Sequence, residues 1–442
     1  MGEALTSQTV STKLERIAIR AREAPTMVLR TLAHHIDVEW LKEAHRLTRK
    51  DGAKGVDGTS ADEYARDLEK NLRSLHERAK AGTYRAPPVR RVNIPKSDGR
   101  MRPIGIPTFE DKILQRAVAM VLEAVYEQDF LDCSYGFRPN RSAHDALKAL
   151  RDATMEMCGG WILEVDIQRF FDMLDHAHLR EALSRRIGDG SLIRLIGKWL
   201  NAGVMEGLNL HHPETGTPQG GVISPILANV YLHEALDTWF ERDVKPRLRD
   251  RAVLVRYADD FVIVFKREDD ARKVQAVLPK RLGKYGLTLH PQKTRLLRFT
   301  RPESKPGKGG DDGPGSFDFL GFTYHWAMST NGYWAVMLRT AKSRFSGAVK
   351  RVSEWCRLHR HLSVAVQCTS LTRKLRGHFN YFGVVGNANA LWRFCHAVYA
   401  TWRSWLNRRS QRARMTWERM RSLIRHHPLP CPDVTKLRSL RA

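Results

Sequence analysis

A chain of 442 residues with 42% hydrophobic content is long enough for two or three domains with sizeable cores, which excludes a disordered polyanion binder. Lys and Arg (74) outnumber Asp and Glu (48), and the resulting net charge of +26 makes nucleic acid the expected partner. The six cysteines are scattered and form no Cys-x-x-Cys pair, which indicates reduced thiols rather than a zinc site. The sequence has no apolar run of about 18 residues and no signal peptide, which predicts a soluble, cytoplasmic protein.

The N-terminal part of the chain reads as a basic extension that leads into helices. Residues 1–46 are assigned to this extension, with 1–30 loosely ordered and a helix predicted over 38–49 by its apolar spacing. The glycine-rich loop 51–58 follows, and its spacing favours a flexible connector over a phosphate cradle. The next helix is predicted over 60–81.

Basic side chains flank a predicted hairpin in the next segment. Two short β-like runs meet at Ser97-Asp98-Gly99, and Lys96 and Arg102 are among five basic residues at its tip and flanks. Such groups can bind a triphosphate, because Arg makes bidentate contacts; a solvated basic hairpin is the alternative. Beyond the hairpin the sequence predicts helices over 111–126 and 143–152, a strand bearing Asp166, and helices over 178–187 and 191–202.

Acidic residues interrupt apolar, β-branched runs at two places. Asp259 and Asp260 lie between the runs 252–257 and 261–265, which predicts a strand, a tight turn and a strand. Asp166 interrupts a strand that otherwise looks buried, where a carboxylate without a cation is costly. If these strands are neighbours, the carboxylates converge and form a site for Mg²⁺, a pair of which clamps the oxygens of a phosphoryl transfer. A solvated hairpin loop is the alternative for a bare acidic pair.

Three motifs occur in order along the chain: Asp166 followed by Phe170-Phe171-Asp172, then Thr217-Pro218-Gln219-Gly220-Gly221-Val222-Ile223-Ser224-Pro225, then Tyr257-Ala258-Asp259-Asp260. From residue 41 to residue 430 the sequence resembles the bacterial group II intron-encoded reverse transcriptases, or maturases. Because the chain ends soon after Pro430, we expect the form without an endonuclease domain. The resemblance implies an α+β, right-hand polymerase fold, with fingers and a ferredoxin-like palm over 47–328 and an α-helical thumb and maturase domain over 329–442.

The resemblance also implies RNA-directed DNA synthesis with two Mg²⁺ ions, for which Mn²⁺ can substitute. The catalytic and metal-binding residues would be Asp166, Asp259 and Asp260, with the Ile167 carbonyl as a further ligand and Asp260 shaping the electrostatics. Lys293 matches the family's lysine proposed to protonate pyrophosphate, with an exposed surface lysine as the alternative. The other nucleotide-binding residues would be Lys96 and Arg102 on the fingers hairpin, Phe171 against the sugar 2′ position, and Gln219 beneath the nascent pair.

The C-terminal third is predicted to become helical and basic from residue 342, with most of its tryptophans in the core. Before it, the sequence predicts a helix over 269–285, a floppy insertion over 301–316, a primer-grip strand over 317–324 and a two-residue turn at Asn331-Gly332. The segment 375–383 resembles the maturase signature, in which the family often carries Trp at the position of His378. RNA binding is assigned to an arginine face that includes Arg376, Arg403, Arg408, Arg409 and Arg412.

The predicted function is an RNA-directed DNA polymerase that binds group II intron RNA and assists its splicing and retrohoming. Its other partners would be a DNA target and primer and deoxynucleoside triphosphates, with no membrane. An alternative is a reverse transcriptase of the same ancestry recruited to phage defence or DNA repair. Two more distant alternatives are a splicing maturase that no longer polymerises, disfavoured by the intact carboxylates, and a palm-type cyclase or primase, disfavoured by the Gln219 loop and the basic thumb.

Overall fold

The computed structural model describes residues 2–95, 101–206, 209–211, 220–302, 315–329, 331–409, 414–433, 435 and 437. The chain forms two compact units: the first unit is Met1–Ala146 with Leu163–Leu296, and the second unit is Leu147–Ile162 with Leu297–Ala442. Lys96, Gln219, Arg412 and residues 303–314 of the expected insertion lie outside the described residues. The domain limits expected at residues 46 and 328 stay predictions.

The described strands form sheets in the orders β2-β1-β4-β5, β6-β7-β3-β8 and β11-β10-β9. They are β1 (Val89–Pro95), β2 (Met101–Ile106), β3 (Gly159–Asp166), β4 (Val204–Glu206), β5 (Asn209–His211), β6 (Ala252–Tyr257), β7 (Asp260–Phe265), β8 (Arg295–Thr300), β9 (Ser316–Phe319), β10 (Phe322–Met328) and β11 (Trp334–Thr340). Along the chain β3, β6, β7 and β8 follow a β-α-β-β-α-β pattern, and their order in space is that of a ferredoxin-like sheet. The predicted α+β class is confirmed.

The described α-helices supply the rest of the framework. They are α1 (Gly2–Glu23), α2 (Val38–Leu47), α3 (Ala61–Ala65), α4 (Leu68–Lys80), α5 (Phe109–Tyr126), α6 (Ala143–Glu156), α7 (Phe170–Met173), α8 (His176–Ser184), α9 (Gly190–Leu200), α10 (Ser224–Leu232), α11 (Glu268–Gly283), α12 (Lys342–His359), α13 (Val364–Phe382), α14 (Ala388–Asn407) and α15 (Trp417–His426). The single helix predicted over 60–81 is wrong: Asp67 leaves the helical conformation (φ −119°, ψ 40°), so α3 ends and α4 begins there. The expectation that residues 1–30 are loosely ordered is also wrong, because α1 spans most of them and Val10, Ile17 and Ala21 are buried.

The first unit has its core along β7 and α5. The β7 residues from Phe261 to Phe265 are at most 1% exposed, as in a strand covered on both faces. Trp40 of α2 is fully buried, and its indole N–H donates to the carbonyl of Ala117 in α5 at 3.0 Å. Because both faces of β7 are buried, a shift of its register against the neighbouring strands would be costly. The residues at the start of β7 are therefore held in one position.

The second unit contains the sheet β11-β10-β9 and the C-terminal helices. The strand predicted over 317–324 is in fact two antiparallel strands, because Leu320 and Gly321 have φ values of 48° and 81° and make a two-residue turn. A hairpin does join β10 to β11, but its loop is longer than two residues, since the last pair is Met328 with Trp334.

The helices of the second unit enclose an apolar core, as the sequence predicts. Trp402 is fully buried there with Leu371, Leu375 and Phe394. The indole N–H of Trp402 donates to Gln367 Oε1 at 2.8 Å, and the Gln367 amide donates to the carbonyls of His359, the last residue of α12, and of Arg360 and Leu362 just after it. Within the described part of the chain, no helix combines the length and the apolarity that crossing a bilayer requires.

Candidate active site

Asp259 lies in the turn between β6 and β7, in the ferredoxin-like sheet. The last pair of this hairpin is Tyr257 with Asp260, so Ala258 and Asp259 alone form the turn. Ala258 has a φ of 58°, a left-handed conformation that residues with a Cβ rarely adopt. Strain of this kind persists only where the surroundings hold it, and it is frequent at active sites. The predicted hairpin with a carboxylate at its tip is confirmed.

The backbone of a neighbouring segment holds this turn from outside the hairpin. The backbone N–H of Arg256, in β6, donates to the carbonyl of Cys133 at 2.8 Å, so the segment that begins at Cys133 lies along the edge of that strand. Gly136 then passes so close to the backbone of Ala258 that a Cβ on Gly136 would overlap it. The side-chain amide of Asn229 donates to Gly136 O at 2.8 Å, so this contact is itself fixed.

Asp166 ends β3, the strand beside β7. Its backbone carbonyl accepts a hydrogen bond from His290 N at 2.8 Å, which ties the loop before β8 to the end of β3. That loop carries Lys293, and the Lys293 ammonium contacts Oδ2 of Asp166. The structure therefore brings Lys293 to a proposed metal-binding carboxylate.

The two sequence-predicted carboxylates lie within electrostatic range of each other. Burial raises the pKa of the Asp259 carboxyl above its ordinary value, and the charge of Asp166 raises it further, whereas the positive charges of Arg102 and Arg256 lower it. Arg102 is exposed on β2, opposite Ile94 of β1. The structure thus places one predicted nucleotide-binding arginine within electrostatic range of Asp259.

This donor set suits a divalent cation with open coordination positions. Within the described ranges, no three His, Cys, Asp or Glu side chains gather into a metal site, so two carboxylates would need further oxygens. Mg²⁺ is commonly held by one or two carboxylates and completes its shell with water and substrate phosphate. Asp166 and Asp259 fit that pattern, with Ile167 directly after Asp166 available to give a carbonyl. Asp260, the first residue of β7, is more exposed than either.

Phe170 and Phe171 lie in α7, which follows β3, and the structure separates their environments. Phe170 is 2% exposed and packs edge-on against Tyr231, with ring centroids 6.3 Å apart. Phe171 is only partly buried and meets Phe170 at 5.2 Å. Phe170 is a core residue, so Phe171 is the one of the pair with a surface available to a nucleotide.

A buried polar network between α5 and Val222 was not predicted from the sequence. Val222 N donates to Gln115 Oε1 at 2.8 Å, and Gln115 Nε2 donates to Asp111 Oδ2 at 3.0 Å. Asp111, 1% exposed, also accepts from the Tyr84 hydroxyl and the Trp199 indole, both at 2.6 Å. Burial raises the pKa of Asp111 to about 6, although these hydrogen bonds lower it. The sequence signal that could have indicated this network is the pair Asp111 and Gln115, two polar residues one helical turn apart in an apolar helix.

The glycine-rich loop near residue 55 is held in place by hydrogen bonds to its backbone. Its carbonyls accept hydrogen bonds from basic side chains: Ala53 O from Lys112 Nζ at 2.7 Å, and Lys54 O from Arg90 at 2.7 and 3.0 Å. Gly55 lies so close to the backbone of residues 107–108 that it has no room for a Cβ. A phosphate cradle would instead direct N–H groups at its ligand. The structure therefore agrees with a connector, but the predicted flexibility is wrong, because these contacts fix the loop.

The arginines predicted to bind RNA lie in the second unit, and several have internal contacts. Arg403 lies over Trp417 at 4.3 Å, and Arg408 lies over Trp405 at 4.8 Å. Arg409 donates to the carbonyls of Arg360 and Leu362 just after α12. Arg376 is exposed on α13. RNA binding by these residues stays a prediction, and Arg409 has a structural function as well.

Comparison with known families agrees with this geometry. The family described as "Reverse transcriptase (RNA-dependent DNA polymerase)" matches residues 94–324, more than half of the chain. The chain belongs to the reverse transcriptase family. A second family, "Group II intron, maturase-specific domain", matches residues 346–423. The reverse transcriptase match includes Asp166 and Asp259, and the maturase match includes Arg376, Arg403, Arg408 and Arg409. The predicted membership of the group II intron-encoded proteins is confirmed.

Known relatives of this reverse transcriptase include bacterial proteins. Protein YkfC of Escherichia coli (strain K12) is 36% identical over 289 residues, which cover 58% of this chain and 76% of YkfC. Group II intron-encoded protein LtrA of Lactococcus lactis subsp. cremoris is 34% identical over 304 residues, which cover 65% of this chain and 50% of LtrA. The chain thus spans about half the length of LtrA. Among solved structures, telomerase from Candida albicans with a TWJ fragment of telomeric RNA has a TM-score of 0.42 and 15% identity, covering 78% of this chain and 63% of that one.

Proposed function

We propose that this reverse transcriptase is an RNA-directed DNA polymerase that also binds group II intron RNA and assists its splicing and retrohoming. The observation that carries the polymerase part is the meeting of Asp166 and Asp259 at the ends of adjoining strands in a ferredoxin-like sheet. The net charge of +26 and the maturase-domain match at residues 346–423 support the RNA part.

The chemistry proposed for the site is in-line phosphoryl transfer. Two Mg²⁺ ions, replaceable by Mn²⁺, would be held by Asp166, Asp259 and the Ile167 carbonyl, and when bound they would clamp the attacking and leaving oxygens. Arg102 would neutralise triphosphate charge. Phe171 would exclude a ribose 2′-hydroxyl from the nucleotide site.

The polymerase part is tested by primer extension on an RNA template with deoxynucleoside triphosphates. Asp166→Asn and Asp259→Asn should each abolish extension but leave RNA affinity unchanged, because each removes a metal ligand and no basic group. Asp243→Asn is the matched control, since Asp243 is an exposed aspartate outside the site. Extension at the wild-type rate in either active-site variant would contradict the assignment.

The intron part is tested separately by sequencing RNA that co-purifies with the protein from its native host. Recovery of a group II intron RNA, followed by protein-dependent splicing of that RNA in vitro, is the expected result. If extension is active but no intron RNA is recovered, the polymerase proposal stands. The outcome would then favour the alternative of a reverse transcriptase serving phage defence or DNA repair.

A further inference from the structure

Arg256 of β6 is completely buried, and every N–H of its guanidinium has a hydrogen-bond acceptor. Nε and Nη2 form a bidentate ion pair with Asp237 at 2.7 and 2.6 Å. Nη1 donates to Asn229 Oδ1 and to Ala258 O, both at 3.0 Å, and Nη2 also donates to Ser134 Oγ at 2.7 Å. A guanidinium has five N–H donors, so its hydrogen-bonding capacity is fully used.

Stability alone is a weak explanation for this arrangement. The side chains of Arg256 and Asp237 are both 0% exposed, so both charges have lost their hydration completely. Apolar residues of similar volume often stabilise a fold as well as such a pair, or better. What the pair provides is geometry, because a bidentate fork fixes the guanidinium plane and directs the remaining donors at defined acceptors.

Two of those acceptors lead directly to the turn that carries Asp259. Ala258 O belongs to the turn itself, and the bond from Nη1 fixes the carbonyl of a residue in a left-handed conformation. Asn229 accepts from the same Nη1, and its amide donates to Gly136 O, whose backbone lies against Ala258. Arg256 therefore holds the turn from within the hairpin and from the neighbouring segment.

The helix opposite Arg256 is modified in a way that serves this contact. Asp237 ends a π-helical turn, His233–Asp237, which continues from α10. Asn229 and Asp237 are eight residues apart, and in a regular α-helix of 3.6 residues per turn their side chains would point about 80° apart. The wider π turn brings Asp237 closer to the direction of Asn229, so that both side chains reach the same guanidinium. A second π-helical segment, Trp239–Val244, follows.

We propose that Arg256 is a positioning residue for metal binding: with Asp237 and Asn229 it sets the conformation of Ala258 and thereby the place of the Asp259 carboxylate. Arg256 touches neither metal nor substrate. The inference rests on the proposed polymerase function and adds to it a residue that acts on the metal site through the conformation of the turn.

Two variants separate positioning from stability. Arg256→Lys keeps a positive charge for Asp237 but has three donors and no planar fork, so it cannot hold all four partners. The double variant Arg256→Met with Asp237→Leu removes both buried charges and replaces them with apolar groups, a change that often leaves stability intact.

Arg186 supplies a matched control. It is also buried, at 6% exposed, and it pairs with Asp129 at 2.7 Å and donates to the carbonyls of Ala21, Ala24 and Met27. None of these partners belongs to the Asp259 turn. Arg186→Lys should therefore reproduce the loss of a buried guanidinium without moving that carboxylate.

The deciding readout is Mn²⁺ binding without turnover. Each protein is mixed with an RNA template, a dideoxy-terminated primer and the matching deoxynucleoside triphosphate, and Mn²⁺ is titrated by electron paramagnetic resonance. We expect both Arg256 variants to weaken Mn²⁺ binding by about 10- to 100-fold, as outer-shell partners of metal ligands do, and Arg186→Lys to leave it unchanged. Thermal unfolding and RNA binding of each variant establish that it is folded.

The outcomes are distinguishable. Wild-type protein that neither binds Mn²⁺ nor extends a primer would overturn the proposed function itself. Wild-type protein that does both, alongside a folded double variant with unchanged Mn²⁺ affinity, would overturn the positioning role of Arg256. If the double variant does not fold, Arg256→Lys decides in the same way.

Discussion

The ammonium of Lys293 contacts Oδ2 of Asp166, the carboxylate proposed to hold a catalytic metal ion. The Lys293 and Asp166 side chains are 53% and 35% exposed, so the ion pair is accessible to water and of modest strength. A divalent cation can therefore displace the ammonium, which would release Lys293 towards the nucleotide. The pairing makes Lys293 a competitor of the metal and a candidate proton donor at once.

Substitution of Lys293 tests both functions. Lys293→Met should lower the Mg²⁺ concentration needed for half-maximal rate, because the competing cation is removed, and should lower the rate at saturating Mg²⁺ by about 100-fold, as for loss of a general acid. Lys293→Arg should lower the rate but keep the Mg²⁺ requirement, since Arg retains its charge and does not donate its proton. Steady-state primer extension over a Mg²⁺ series measures both. A wild-type rate in Lys293→Met would favour the surface-lysine interpretation.

Sugar selection is expected to depend on Phe171 rather than Phe170. Phe171→Ala should admit ribonucleotides, because it removes the partly exposed ring proposed to lie against the 2′ position. Phe170→Ala should instead lower the free energy of unfolding by about 3–5 kcal/mol, since Phe170 is a buried core residue. Single-nucleotide incorporation with matched ribo- and deoxynucleotides gives the selectivity ratio, and denaturant unfolding gives the stability. A selectivity ratio unchanged in Phe171→Ala would place the gate elsewhere.

The parts of the site that the sequence predicts are those with a local signature. Asp259 stands between two apolar β-branched runs, and the strand, turn and strand are all within one short segment. Arg256 lies within one of these runs, but three of its four partners come from other segments of the chain, and Ser134 is 122 residues away. Only the folded chain shows that these polar groups meet in one buried network.

Two of the wrong element predictions have a local cause of another kind. The break at Asp67 and the turn at Leu320 depend on single residues with non-helical or left-handed backbone, inside stretches whose apolar spacing continues unchanged. Periodicity reports which face is buried and is blind to one residue that reverses the chain. Leu320 carries no turn signal of its own, because residues with a Cβ rarely take positive φ.

The buried carboxyl of Asp111 should give stability an unusual pH dependence. Its pKa in the folded protein, about 6, is above the ordinary 3.8, because burial disfavours the charge. The folded state therefore binds a proton more tightly than the unfolded state, so the buried charge destabilises the fold; this penalty is fully present above about pH 6 and is lost as the pH falls towards 3.8.

Asp111→Asn isolates this effect, because the variant has no charge at either pH. The unfolding free energy of the variant relative to wild type should be about 1 kcal/mol higher at pH 7.5 than at pH 5. The absolute stability also changes, because the Nδ2 group of Asn, in the position of Asp111 Oδ2, cannot accept the hydrogen bond from Gln115, but that change does not vary with pH. Urea unfolding followed by tryptophan fluorescence measures both. A difference that is the same at the two pH values would contradict the assignment.

The arginines of the second unit should fall into two groups, one that affects only RNA affinity and one that also affects stability. Arg376 and Arg408 are exposed, so neutralising both to Gln should reduce the slope of log K against log salt by roughly 0.7–0.9 for each phosphate that the protein no longer neutralises, with little change in unfolding temperature. Arg409→Gln should lower the unfolding temperature as well, because it also removes the hydrogen bonds to the Arg360 and Leu362 carbonyls after α12. Filter binding of RNA over a salt series, paired with thermal unfolding, measures the two effects. An unchanged slope in the Arg376 and Arg408 variant would show that this face is solvated and does not bind RNA phosphates.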